Sequence, residues 1–246
     1  MKICKIPVFE NSEAFAFYVP DGNCSWKNAE GADEKNWKTL ADTLRIKLSD
    51  IVRPSQTHTS EVKAVAKCNG GEGIVRRERE SGFDGVVTNE RGLLLCTLEA
   101  DCVPVYLFDP VKKVAAMVHS GWKGTVGKIS ANAVKLMTEK YGTKAENITA
   151  LTGPCICRDC YEVSAELIPR FEENFTKEEI SRFFTAKENG KFLLNLPLAI
   201  RITLEKAGVK SENISESDVC TYHSGVCPSY RRGDMEKRML TGIMIR

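Results

Sequence analysis

The chain begins with two short apolar stretches, "ICKIPVF" and "AFAFYV", that read as β-strands. The period then changes. In "EKNWKTLADTLRIKL" the apolar residues Trp37, Leu40, Ala41 and Leu44 recur every three or four positions, which predicts an amphipathic helix with Asp33 as its cap. Alternation returns in "EVKAVAKC", the pattern of a half-buried strand, and "GGEG" breaks it. Four strand-like runs fill the middle third: "GVVT", "LLLCTL", "VPVYLF" and "VAAMVH". Next comes "KISANAVKLMTEKYG", where Ile129, Ala133, Leu136 and Met137 share one helix face and Gly142 supplies the stop. Further on, "NITALTGP" predicts a strand, "SAELIPRF" and "KEEISRFF" predict helical segments, and "LPLAIRITLEKAGV" predicts a helix entered through Pro197. This mixture predicts an α+β fold, a layered α/β sandwich with mixed β-sheets. No repeat, low-complexity segment or Pro/Gly/Ser-rich linker divides the chain, so residues 1–246 are expected to form a single domain.

Composition narrows the class of function. Hydrophobic residues make up 42% of the 246 and charged residues 28%, as in an ordinary globular protein with a sizeable core. The net charge of +2 comes from 35 basic and 33 acidic residues mixed along the chain. With no basic block, neither nucleic acid nor a membrane surface is expected as a partner. The start, "MKICKIPVFENSEAFAFYVP", lacks the apolar core and cleavage site of a signal peptide, and "GLLLCTL" is too short to span a bilayer. A cytoplasmic location is the expectation. In that reducing setting the ten cysteines are core thiols, metal ligands or catalytic groups, not a disulfide scaffold. Cys4, Cys68 and Cys96, among apolar or β-prone neighbours, read as packing residues.

Candidate chemistry centres on "ADCVPVYLFDPVKKVAAMVHSGWKGT". A tight turn with Pro110 and Val111 at its centre would pair the flanking strands, with Asp109 facing Lys112. In that register Cys102 lies directly opposite His119, with side chains on one face and Cβ atoms about 4.5–5.5 Å apart. Such a pair suits two ligands of one metal, or a thiolate beside its base. Pro104 would interrupt the ladder unless it sits at an edge or bulge. The chain has three histidines, His58, His119 and His223. His58 lies at a polar junction in "QTHTSEV", from which it could reach a cleft and complete a Cys-His-His set. Three protein ligands with a fourth position open to water describe a catalytic zinc site, in which the water pKa falls to about 7. After His119, "GWKGTVG" leads into a helix with Thr125 as its cap; that helix N-terminus and Lys123 could hold an anion such as phosphate.

The motifs "FDGVVTNERGLLLCTLEADCVPVYLFDP", "AAMVHSGWKGT", "GPCIC", "YEV", "NLP" and "SYRR" resemble the YfiH-like family. That family is also named as polyphenol oxidase or laccase domain, as zinc-dependent purine nucleoside phosphorylase and as peptidoglycan editing factor. The resemblance runs from about Gln56 to near the C-terminus, and its fold is similar to that of a toxin deamidase. It implies His58, Cys102 and His119 as zinc ligands and catalytic residues, with copper an alternative ion in the same site. It also implies phosphorolysis of adenosine, inosine and methylthioadenosine, with adenosine deamination, so that the partners are a small-molecule nucleoside and phosphate. The oligomeric state stays open, a monomer being preferred. Substrate-binding roles are assigned to Lys123, Arg231 and Asp101. Lys123 stands where the family usually has arginine and keeps the charge without the forked donor. Arg231 lies in "SYRR", and the Asp101 carboxylate would favour an oxocarbenium-like transition state.

Two other chemistries compete. A Cys-His hydrolase would use Cys102 as nucleophile and His119 as base, suited to peptidoglycan precursors. A multicopper oxidase conflicts with the histidine count: a blue-copper centre takes two histidines and a cysteine, leaving one histidine for any further copper cluster. A non-enzymatic metal-binding or partner-binding protein is a third class, one without turnover. A second metal set could be drawn from Cys155, Cys157 and Cys160 with Cys220, Cys227 and His223, but the resemblance does not require one. "VRRERE" (75–80) reads as a solvated edge.

Overall fold

A computed structural model provides the structure and describes residues 1–20, 34–76 and 82–246. The first half of the chain supplies β1 (Cys4–Lys5), β2 (Ala14–Val19), helix α1 (Glu34–Leu44), β3 (Ile51–Val52) and β4 (Val62–Ala64). It continues with β5 (Gly85–Thr88), β6 (Leu94–Glu99), β7 (Val103–Asp109) and β8 (Val114–Ser120). The second half supplies α2 (Trp122–Val126), α3 (Ile129–Tyr141), β9 (Thr149–Thr152), β10 (Glu162–Val163), α4 (Ile168–Glu172) and α5 (Lys177–Phe183). The last elements are β11 (Phe184–Ala186), β12 (Phe192–Leu194), α6 (Leu196–Lys206), β13 (Ile214–Glu216) and β14 (Met239–Ile245).

The described residues form three sheets: a six-stranded one in the order β13-β9-β7-β8-β5-β4, a five-stranded one in the order β1-β2-β14-β6-β3, and the small β10-β12-β11. Parallel pairs (β13 with β9, β4 with β5, β3 with β6) sit among antiparallel ones, so the fold is α+β with mixed sheets.

Side-chain alternation sorts the apolar residues into layers. On β7, Val103, Val105 and Leu107 join a core with Ala133 and Met137 of α3 and Ile200 of α6. Tyr106 and Phe108 point the other way, onto Ala16, Leu95 and Ile243 of the five-stranded sheet. The far face of that sheet, with Phe17, Leu94 and Leu240, takes Trp37 and Leu40 of α1. The order is therefore helices, sheet, sheet, helix. A buried hydrogen bond joins the two sheets, from the Tyr106 hydroxyl to the Phe17 carbonyl at 2.9 Å.

Several local expectations change. Only Cys4–Lys5 of "ICKIPVF" is strand; Pro7 lacks an amide donor and opens the 3-10 turn Pro7–Phe9. "EVKAVAKC" pairs only over β4 and then turns at Lys67–Asn69. Helix α1 ends at Leu44 because Arg45 adopts the left-handed conformation, φ 57°. Gly142 stops α3 as expected, at φ 69°. Cys96 is buried and Cys4 half-buried, but Cys68 is exposed, which removes it from the packing residues. Asp33 and residues 77–80 of "VRRERE" lie outside the described residues. No helix among the described residues is long and apolar enough to cross a membrane.

The hairpin register also differs. Asp109 pairs with Val114, not Lys112, so Pro110–Lys113 form a four-residue loop. The Asp109 side chain decides this: its Oδ1 accepts the amides of Val111 (2.8 Å) and Lys112 (3.2 Å), and Lys113 takes φ 54°. His119 consequently faces Pro104, and Cys102 is displaced by two positions from the expected partner. A shift of two keeps every side chain on its face, so Cys102 and His119 still share one. Pro104 lies within the sheet, at a pair whose backbone groups turn outward: the His119 amide donates to Asp84 O, and Pro104 O accepts from Gly153 just beyond β9.

Candidate active site

His119, the penultimate residue of β8, lies on the same face as Ala115 and Met117, which looks toward the five-stranded sheet. The pairing of β5 with β8, Gly85 against Val118, carries Asp84 directly opposite His119. Asp84 Oδ1 lies 2.8 Å from His119 Nδ1, and both residues are buried. The same carboxylate accepts the amides of Thr57 (3.1 Å), His58 (3.0 Å) and Thr59 (2.7 Å) and the Thr59 hydroxyl (2.9 Å). One anion thus orients the ring of His119 and the loop that carries His58. Burial pushes Asp84 toward protonation, but the His119 and Thr59 hydrogen bonds overcome it and hold the carboxyl below its ordinary range.

The His58 loop is pinned from a second side. The Gln56 side chain pairs with the Leu98 backbone in both directions, Nε2 to O at 2.7 Å and N to Oε1 at 2.9 Å. Gln56 and His58 have φ of 53° and 62°, and Asp101, beside Cys102, has 87°. Such conformations cost of order 1 kcal/mol each outside glycine, and here they cluster around the candidate ligands.

The structure brings His58, Cys102 and His119 together, with one ligand atom of each within 4.8 Å of the others. The His58 and His119 rings meet edge-on, with centroids 5.0 Å apart. Since Nδ1 of His119 is held by Asp84, its Nε2 is left for the cluster. Gly121 provides the room: a Cβ there would lie 2.9 Å from Cys102 Sγ and 3.4 Å from His58 Cδ2. In the metal-free protein, burial raises the Cys102 pKa, but the positive His119, with hydrogen bonds from His119 and His58, brings it down to about 6. Burial opposes the charge on His119, yet the Cys102 thiolate and Asp84 push that pKa up to about 10. A thiolate and two imidazoles, one oriented by a carboxylate, form a donor set that fits zinc or copper. Behind them, buried Glu99 accepts the Thr241 hydroxyl at 2.9 Å, and burial raises its pKa to about 7.

The cluster lies in a cavity of about 660 Å³ whose wall includes Trp122, Tyr161, Tyr230, Arg53, Arg231 and Arg238. Arg231 Nη1 donates to Glu162 O at 2.6 Å, and its guanidinium lies over the Tyr161 ring at 5.2 Å. Asp101 also lines the cavity, with both oxygens committed to the protein: Oδ1 to the Thr221 hydroxyl at 2.6 Å, Oδ2 to the Arg231 amide at 2.7 Å. Lys123 is exposed, outside the cavity wall, with its Nζ 5.7 Å from the Trp122 ring centroid. Helix α2 is a single turn capped by Gly121. Thr125 is not its cap but lies inside it, its hydroxyl donating to Gly121 O at 2.9 Å. Asp84 stands in the motif "FDGVVT", Trp122 in "GWKGT" and Tyr161 in "YEV", but spacing and period assigned none of them to the site.

Comparison with known proteins agrees with this architecture. A family model described as multi-copper polyphenol oxidoreductase laccase matches residues 21–246. Purine nucleoside phosphorylase YlmD of Bacillus subtilis is 35% identical over 190 residues, 76% of this chain and 67% of that protein. Adenosine deaminase RL5, from an unknown prokaryotic organism, is 35% identical over 209 residues, 83% of this chain and 79% of that protein. The crystal structure of YlmD from Geobacillus stearothermophilus superposes with a TM-score of 0.86 at 28% identity, covering 98% of this chain and 94% of that one. The "multi-copper" description is not matched by the donors present: His58 and His119 are in the cluster, and His223, the third histidine, lies in a different group of ligands. The motifs, the family model and the shared fold agree, and the chain belongs to the YfiH-like, laccase-domain family.

Proposed function

We propose that the cavity binds a purine nucleoside and inorganic phosphate, and that the protein is a zinc-dependent purine nucleoside phosphorylase acting on adenosine, inosine and methylthioadenosine. Adenosine deamination at the same site is part of the reading. The observation that carries it is the His58, Cys102 and His119 cluster opening into a cavity with both aromatic and guanidinium walls. Relatives named as purine nucleoside phosphorylase and adenosine deaminase support the substrate class.

His58, Cys102 and His119 would hold the zinc, which when bound supplies a Lewis acid at the cavity wall. The chain's own residues supply the remainder. Trp122, Tyr161 and Tyr230 offer flat faces against which a purine can stack. Arg231 keeps part of its fork toward the cavity, where it can hold phosphate against the anomeric carbon. Asp101, by binding the Arg231 amide, positions that arginine. Asp84 keeps the proton of His119 on Nδ1, so that Nε2 remains a donor to the ion.

The test is adenosine with and without phosphate, read by chromatography, beside elemental analysis of the protein. Phosphate-dependent adenine, lost on zinc removal and in His119→Ala, supports the reading. Fully zinc-loaded protein that turns over none of the three nucleosides overturns it.

A Cys-His hydrolase remains the second reading, favoured by one observation. Asp84, His119 and Cys102 form a continuous carboxylate–imidazole–thiolate line. Amide hydrolysis that survives complete removal of metal would favour it over phosphorolysis.

A further inference from the structure

A second group of metal-binding side chains lies outside the cavity. Cys157 and Cys160, on the turn after β9, meet Cys220 and His223 from the segment after β13. One ligand atom from each of the four lies within 4.8 Å of the other three. We propose that Cys157, Cys160, Cys220 and His223 form a structural zinc site of the Cys3His type.

Spacing is the first argument. The ligands come as two pairs, C-x2-C at 157–160 and C-x2-H at 220–223, each short enough for one turn to aim both side chains at one point. Both turns are formed: the Cys160 amide donates to Cys157 O at 3.1 Å, and the Ser224 amide to Cys220 O at 3.1 Å. Chemistry is the second. Three sulfurs and an imidazole are the soft donors that select zinc over magnesium or calcium. The Cys157 amide already donates to Cys220 Sγ at 3.3 Å. Size is the third. Zinc–sulfur bonds of about 2.3 Å in a tetrahedron put ligand atoms about 3.8 Å apart. The cluster needs little movement to close on an ion, and Cys160 Sγ already lies 3.2 Å from His223 Nδ1.

Four protein ligands leave no open position, which marks a structural site, unlike the three-ligand cluster in the cavity. The backbone shows what it would join. The Thr221 amide donates to Cys155 O at 2.9 Å and the Cys155 amide to Val219 O at 3.3 Å, so the two ligand-bearing segments already run side by side. Ile156 and Tyr161 on one segment, and Tyr230 and Arg231 beyond the other, line the cavity. An ion here would fasten two parts of the cavity wall together. Cys220 is buried, Cys157 and Cys160 half-buried, and His223 exposed, so the ion can be loaded from solvent.

The experiment separates this site from the first by removing the first. Full-length protein carrying Cys102→Ala and His119→Ala is purified with reductant and zinc, and its metal content is measured. One zinc per chain is expected there, two in the unsubstituted protein, and none once Cys157→Ser and Cys160→Ser are added. Cobalt(II) loaded into the Cys102→Ala, His119→Ala protein should give the thiolate-to-metal charge-transfer band of a three-sulfur site. If the serine variants do not fold, His223→Ala at its exposed position substitutes, with an expected loss of at least tenfold in zinc affinity by chelator competition. Absence of metal from the Cys102→Ala, His119→Ala protein overturns the proposal. So does zinc binding there that is unchanged by both the serine and the alanine substitutions.

Discussion

Asp84 and His119 face each other across β5 and β8, with Oδ1 and Nδ1 2.8 Å apart in the protein interior. Because the same carboxylate takes three successive amides of the His58 loop, two of the three candidate ligand side chains depend on one buried anion.

Replacing Asp84 by Asn therefore affects more than one contact. An amide keeps one acceptor, but its NH2 would face backbone donors where an oxygen stood. Zinc affinity at the cavity site is expected to fall about 10- to 100-fold. Chelator competition measures this, with circular dichroism confirming the fold; unchanged affinity would refute the orienting role.

Gly121→Ala tests the space beside the cysteine. Its backbone, φ −77° and ψ −178°, suits any residue, so only the added methyl matters. That methyl would lie 2.9 Å from Cys102 Sγ. We expect a folded protein with at least roughly tenfold weaker zinc binding, since ligand atoms displaced by even half an ångström lose the geometry.

The thiolate has a pH signature. Cys102 is an acid whose pKa is lowered to about 6, so in metal-free protein its thiolate fraction rises through pH 6 and is nearly complete at pH 7. Iodoacetamide labelling of the Cys102 peptide, followed by mass spectrometry, should show that midpoint. In His119→Ala the positive partner is lost while burial stays, and the midpoint should move above the ordinary thiol value of about 8.5. Added zinc should protect the thiol in the unsubstituted protein. A midpoint near 8.5 in both proteins would disprove the ion pair.

Tyr106→Phe probes the fold apart from the site. It removes the hydroxyl that spans the two sheets and deprives the Phe17 carbonyl of that donor. A loss of about 1–2 kcal/mol is expected in urea denaturation, with turnover unaltered. No change in stability would mean that this carbonyl is satisfied without the hydroxyl.

Much of the architecture was legible in local pattern. The runs "GVVT", "VPVYLF" and "VAAMVH" are apolar on both faces because helices cover one side of their sheet and a second sheet the other. Of the stripe Trp37, Leu40, Ala41 and Leu44 in α1, the first three are buried as the spacing predicts and Leu44, at the helix end, is half-buried. Histidine is scarce in this chain, and the structure places two of the three, His58 and His119, beside Cys102.

The sequence by itself determined which residues are apolar, with what period, and which few side chains could bind a metal. Pairing was left to the tertiary structure. Periodicity reports the face a side chain occupies but not the strand it meets, so the Asp84–His119 contact could not be read locally. Cys157 and Cys220 were among six candidate ligands of a second set, and the tertiary structure selected them, with Cys160 and His223, over Cys155 and Cys227. The hairpin shows the limit plainly. Asp109 closes a loop of four residues where two were expected, because its carboxylate captures two amides. That local hydrogen bonding moved the register by two positions, while the period of two kept Cys102 and His119 on one face.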